Sequence, residues 1–103
     1  MTKKENARVV WITGGGTGLG RAMALEFSRK GYFVAVSGRR QERLDAVVEA
    51  MTGEGMAVSC DVTNESSVQQ ALHNILEQVG SLDIAVANAG FAVGGKLAEV
   101  SHD

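Results

Sequence analysis

Thr13-Gly14-Gly15-Gly16-Thr17-Gly18-Leu19-Gly20 is the stretch that decides how the rest of this chain folds. It follows the apolar run Val9-Val10-Trp11-Ile12 and opens into Arg21 to Lys30, so its glycines stand between a predicted buried strand and a predicted helix. A phosphate site needs that context. Glycines let the backbone turn tightly and approach an anion, and the unpaired amides at a helix start, with the dipole behind them, face negative charge. A Walker A loop would place Lys and then Ser or Thr directly after Gly20, where the chain has Arg21 and Ala22. The spacing is that of a dinucleotide loop, with Gly15, Gly16 and Thr17 between the framework glycines Gly14 and Gly18. Without its flanks such a cluster is only a turn.

Outward from the loop the chain alternates between two periodicities. Arg8 to Ile12 reads as the first strand and Gly18 to Lys30 as a helix with the apolar stripe Leu19, Ala22, Met23 and Phe27, ended by Gly31. Tyr32 to Ser37 is β-branched and aromatic enough for a second strand. Gln41 to Met51 carries Leu44, Val47, Val48 and Met51 at helical spacing. Met56 to Cys60 is a third strand, and Thr63 or Asn64 is placed to cap a helix over Glu65 to Val79 whose apolar face is Val68, Ala71, Leu72, Ile75, Leu76 and Val79. Gly80-Ser81-Leu82-Asp83 turns into a fourth strand, Ile84 to Ala87. Strands and helices in strict alternation, with short links and near-continuous apolar strands, mean a parallel sheet covered on both faces. Right-handed crossovers give it the order 3-2-1-4, a Rossmann-type doubly wound α/β sheet with the glycine loop at its switch point.

Composition excludes several classes of partner. The 103 residues are 45% hydrophobic and carry a formal charge of -2, which argues against nucleic acid or an anionic membrane surface. No apolar run approaches the roughly 18 residues of a membrane span, and Met1 to Asn6 leads straight into a strand instead of a signal-peptide core, so a cytoplasmic protein is expected. Cys60 is alone, without a partner for an internal disulfide or a metal cluster, and reads as a small buried residue at a strand end.

At the end of the second strand, about 20 residues past the loop, a dinucleotide fold that takes NAD places an acidic residue on the ribose hydroxyls. This chain has Ser37-Gly38-Arg39-Arg40, and its first carboxylate after the strand is Glu42. Losing the repelling carboxylate and gaining a guanidinium fork suits the 2′-phosphate of NADP, with Arg39 closer to the strand end than Arg40.

These residues resemble a family. Thr13 to Gly20 matches the TGxxxGxG loop of the short-chain dehydrogenase/reductases, and Asp61-Val62 and Asn88-Ala89-Gly90 match that family's later cofactor motifs in order and spacing. The resemblance implies that Gly14, Gly18 and Gly20 line the pyrophosphate, with Thr17 in the same cofactor-binding set and Leu19 contributing a backbone amide. It implies too that Asp61 meets the adenine amino group, that Val62 meets the ring, and that Asn88 and Gly90 border the adenosine ribose. Asp61 read without the family would only shape a turn before a helix. Two positions depart from the pattern: Ala87 stands where the family often has Asn, and Thr17 where many NADP-preferring members carry a basic residue.

A third departure concerns catalysis. The family resembles a Ser, Tyr and Lys set in which lysine lowers the tyrosine pKa for proton exchange with the substrate oxygen while hydride passes to or from the nicotinamide. The only tyrosine here, Tyr32, is followed four residues on by Val36. Phe91 to Val100 and then Ser101-His102-Asp103 read as the cap of a further helix, so the chain is expected to be the truncated N-terminal cofactor-binding half of a longer protein, with the catalytic half absent and His102 a terminal solvent residue. The expected parent is an NADP-dependent oxidoreductase, with NAD possible, acting on a small carbonyl or alcohol substrate and assembling as a homo-oligomer. The alternative is a sensor or interaction module that holds NADP without chemistry.

Overall fold

A computed structural model describes residues 6–16 and 18–88 of the chain. Ala89, the stretch Phe91 to Asp103 read as leading into a further helix, and the predicted cofactor residues Thr17 and Gly90 lie outside the described residues.

Valine and isoleucine in extended runs bury both faces of a strand only when the sheet has helices on each side. That is how β1 (Val9–Thr13) and β2 (Phe33–Gly38) are placed: all of β1, and β2 up to Ser37, are buried. They alternate with α1 (Gly18–Arg29), α2 (Gln41–Ala50), β3 (Gly55–Ser59), α3 (Glu65–Val79) and β4 (Ile84–Ala87). The sheet is parallel throughout, in the order β3-β2-β1-β4. Trp11 sits opposite Ala35 on one side and Ala85 on the other. The expected topology is therefore observed, with strand ends displaced by a single residue for β1, β2 and β3 and unchanged for β4.

The period of two along each strand sorts the apolar residues into two cores. Val10, Ile12, Val34 and Val36 face α1 and α2 together with Ala24, Leu44, Val47 and Met51. On the other face Val9, Trp11, Phe33 and Ala35 pack with Val58, Cys60 and the α3 residues Val68, Ala71, Ile75 and Val79. Tryptophan carries an N–H that must be paired when buried. Here Trp11 Nε1 donates to Ser37 Oγ at 2.8 Å, which fills the polar needs of both side chains inside the sheet.

Helix ends follow local rules. Asn64, one of the two predicted caps, accepts from the Ser67 amide at 3.0 Å at the start of α3. Gly31, with φ 96, closes the turn after α1 and donates to the Ser28 carbonyl. Met51 is the C-cap of α2 instead of its last residue, yet its side chain stays in the core.

The stripe expected on α1 is corrected. Its buried residues are Gly20, Ala24 and Ser28; Met23 and Phe27 flank them, whereas Leu19 is 67% exposed and Ala22 is exposed too. The helix lies so close to the glycine loop and the sheet that only small residues fit the inner line, which turns Leu19 and Ala22 outward. Ser28 fits because its hydroxyl accepts from the Gly53 amide at 2.8 Å, tying α1 to the turn before β3. On α3 the expected face holds except at Leu76, which is 42% exposed.

Candidate functional site

Five segments meet at the carboxyl ends of the strands: the glycine loop, the end of β2, the start of α2, the turn after β3 and the end of β4. In a doubly wound sheet this rim is where ligands bind. The loop is held there from both sides. Gly15 donates to the Ser37 carbonyl at 3.0 Å, which fixes it to the end of β2. Asn88 Nδ2 donates to the Gly14 carbonyl at 3.3 Å, and the Asn88 amide reaches the Thr13 carbonyl at 3.3 Å, so the end of β4 braces the same loop.

Glycine is required where the loop touches its supports. A Cβ on Gly20 would lie 2.0 Å from the Gly14 carbonyl oxygen and 2.9 Å from Asn88 Nδ2. On Gly15 it would lie 2.9 Å from the Val36 side chain. Gly20 thus brings the first turn of α1 onto the loop backbone, the close approach that lets helix amides face an anion. In the sequence Gly15 is only a spacer between the framework glycines; in the fold it seats the loop on β2, a contact that no local pattern announces.

Beside the loop is a cleft of about 230 Å³ lined by Gly14, Gly16, Gly38, Arg39, Arg40, Arg43 and Leu44. Whole-ligand pockets run to about 300–1,000 Å³, so this space suits one end of an extended ligand. Its lining is cationic and glycine-rich, the chemistry of a phosphate subsite. Arg43 was missed by sequence reasoning. It stands three residues after Arg40 on the first turn of α2, and that helical spacing was the available signal.

Arg39 and Asp61, predicted for opposite ends of an adenosine group, meet each other: Arg39 Nη2 lies 3.5 Å from Asp61 Oδ1. Asp61 Oδ1 also accepts from the Thr63 hydroxyl at 2.6 Å and the Thr63 amide at 3.0 Å. The residue therefore shapes the turn before α3 while presenting its carboxylate at the rim, and the turn and ligand readings are compatible. Val62 beside it packs against the α3-face core. The Asp61 amide donates to Ser67 Oγ, and the neighbouring Cys60 is buried beneath the turn. Burial pushes the Cys60 thiol up, a hydrogen bond with Ser67 offsets part of the rise and the charge on Asp61 adds to it. A buried neutral thiol of this kind is inert.

The Thr63 hydroxyl, followed by its amide and the Arg39 charge, holds the Asp61 carboxyl below its ordinary value. Its folded value is then lower than its unfolded one, about 3.9. The carboxylate stabilises the fold fully above the unfolded value, and the contribution is lost as pH falls through the folded value. Carbon NMR of the Asp61 carboxyl is expected to show a midpoint below about 3.9, and Thr63→Val should raise it. A midpoint unmoved by Thr63→Val would remove the hydroxyl as the leading cause.

The match to a family model decides the affiliation: the model for short chain dehydrogenase covers residues 8–103. This chain belongs to the short-chain dehydrogenase family. A 3beta-hydroxysteroid dehydrogenase of Mediterraneibacter gnavus is 38% identical over 99 residues, covering 93% of this chain and 36% of that protein. An NADPH-dependent pterin aldehyde reductase of Arabidopsis thaliana is 42% identical over 86 residues, covering 82% of this chain and 36% of that protein. Among solved structures, 3-ketoacyl-(acyl-carrier-protein) reductase from Brucella melitensis complexed with NADH superposes with a TM-score of 0.74 at 32% identity, over 77% of this chain and 32% of that one. The chain spans about a third of the length of these short-chain dehydrogenase relatives.

Of the residues predicted from the family motifs, Gly14, Gly18, Leu19, Gly20, Arg39, Asp61, Val62 and Asn88 all lie at the loop or at the strand and helix ends around it. Asn88 turns inward and braces the loop, while Leu19 turns out beside it. No helix of the described residues is long and apolar enough to cross a membrane.

Proposed function

We propose that this chain binds the adenosine and pyrophosphate end of a nicotinamide dinucleotide, NADP in preference to NAD, as part of a short-chain oxidoreductase acting on a small carbonyl or alcohol. The observation that carries the reading is the joint lining of one cleft by Gly14, Gly16, Gly38 and Arg39. Loop glycines admit a ligand phosphate close to the backbone, and a guanidinium stands where a cofactor without the 2′-phosphate would call for a carboxylate.

In this reading Gly14, Thr17, Gly18 and Gly20 surround the pyrophosphate with the Leu19 amide, Asp61 takes the adenine amino group, Val62 its ring, and Asn88 with Gly90 the ribose side. The bound dinucleotide supplies hydride chemistry; the residues here bind and orient it. Support comes from both sides of the cofactor question, since one relative is named NADPH-dependent and one neighbour holds NADH. The choice therefore rests on this chain's own β2 end. Catalysis would need groups other than these, because Tyr32, the one tyrosine, has Val36 four residues on and lies at the opposite end of β2 from the cleft.

Titration of the chain with NADPH and NADH, read by nucleotide fluorescence, tests the proposal. Saturable binding with NADPH the tighter ligand, and no steady consumption of NADPH with carbonyl substrates, is the expected outcome. Tighter binding of NADH would reverse the cofactor assignment, and sustained consumption of NADPH would show that the chain carries a catalytic group.

A further inference from the structure

A phosphate monoester at neutral pH carries a charge of about -1.5 to -2, more than one guanidinium balances. Arg39, the residue at the strand end, already shares its charge with Asp61 at 3.5 Å. The cleft it lines contains two further cations, Arg40 and Arg43, and among the described residues neither is in ion-pair reach of a carboxylate. Their placement differs. Arg40 is the N-cap of α2, in extended conformation. Arg43 is the third residue of the helix, in its first turn, and its stem lies over the loop: a Cβ on Gly16 would sit 3.3 Å from Arg43 Cβ. The bare backbone of Gly16 is what leaves room for that stem beside the cleft.

A second observation concerns the helix itself. Cations are unfavourable at a helix N-terminus, where the dipole is positive, and favourable caps there are acceptors. Yet α2 begins with Arg40 as an N-cap that makes no side-chain capping bond, preceded by Arg39 and followed by Arg43 in the first turn, with Glu42 the acidic residue among them. Three arginines at the positive end of one helix contradict the local rule, and such contradictions are characteristic of positions kept for binding.

We infer that Arg43 is a second anchor of the 2′-phosphate and decides cofactor choice together with Arg39, the pair closing on the phosphate from the α2 side and the β2 end of the cleft. The inference rests on the NADP reading above. It makes the discriminating charge a property of α2 as well as of the strand end. Asp61 then has a second consequence: it tempers Arg39 in the free protein and leaves Arg40 and Arg43 as the cations of the cleft unpaired among the described residues, of which Arg43 is the one whose stem lies over the loop.

Calorimetric titration of the chain with adenosine 2′,5′-bisphosphate and with adenosine 5′-monophosphate separates the phosphate contact from adenosine binding. Arg43→Gln is expected to weaken the bisphosphate about ten-fold or more, as loss of a charge-assisted contact does, while the monophosphate changes by less than about two-fold. Arg43→Lys, which keeps the charge without the fork, should recover part of the loss. The melting temperature of unliganded Arg43→Gln should be unchanged or higher, because a cation has left the positive end of a helix. An equal loss for both nucleotides, or a melting temperature that falls, would mean a structural role and overturn the inference. So would an unchanged bisphosphate affinity with Arg39→Gln alone abolishing the preference. If the unaltered chain binds both nucleotides equally, the NADP preference fails and this inference with it; if it binds neither, the cofactor reading itself fails.

Discussion

Gly20→Ala is expected to lower the stability of the chain by about 3 kcal/mol or more, at the upper end of overpacking costs. The new methyl would lie 2.0 Å from the Gly14 oxygen, 2.8 Å from its carbonyl carbon and 2.9 Å from Asn88 Nδ2. Two of these are backbone atoms of a loop bonded on both sides, so nothing flexible can give way. Relief requires α1 to lift from the loop, which also withdraws Ala24 and Ser28 from the face they bury. In a domain of this size about 3 kcal/mol corresponds to a fall of roughly 12–24 °C in melting temperature. Gly18→Ala is the contrast. Gly18 has open space around it and φ +59, so its cost is backbone conformation alone, about 1–2 kcal/mol. Urea denaturation of the two variants checks the ranking; a Gly20→Ala loss no larger than that of Gly18→Ala would mean that the helix does not press on the loop.

Arg39→Asp is expected to weaken NADPH by roughly 1.5–3 kcal/mol, about ten-fold or more, and to leave NADH within about two-fold. The substitution removes a guanidinium from the cleft and puts there the carboxylate that repels a 2′-phosphate and accepts from ribose hydroxyls. Releasing Arg39 from Asp61 opposes phosphate binding little, since an exposed pair exchanges readily. The variant would also face Asp61 with a like charge, so the measurement belongs at about 0.15 M salt, where exposed charges beyond roughly 8 Å are screened. Fluorescence titration with both nucleotides gives the answer. Parallel losses would make the effect one of folding, and an unchanged NADPH affinity would make Arg39 a solvated side chain.

Several features of the site were invisible along the chain because they depend on what the fold brings together. Leu19 and Ala22 have the hydropathy of a buried stripe, yet they point away because α1 is set by the small line Gly20, Ala24 and Ser28. Periodicity weighs side-chain hydrophobicity and is blind to how close a helix must come. Asp61 and Arg39 are 22 positions apart, and their meeting follows from the adjacency of β2 and β3. Asn88, a ribose neighbour by family resemblance, also braces Gly14 with its side chain, a contact across 74 positions.

The sequence by itself determined the element order, the parallel sheet and its strand order, because alternation of apolar strands with amphipathic helices admits few topologies once crossovers are right-handed. It also marked the loop, since Gly14, Gly18 and Gly20 are constraints on local backbone geometry and local constraints are written in local residues. Tertiary structure alone decided which glycine is compressed against which carbonyl, that Arg39 is shared with Asp61, and that Arg43 joins the cleft. Those are distances between segments far apart in the chain, fixed by the packing of α1 and α2 on β1 and β2, and no spacing within one segment encodes them.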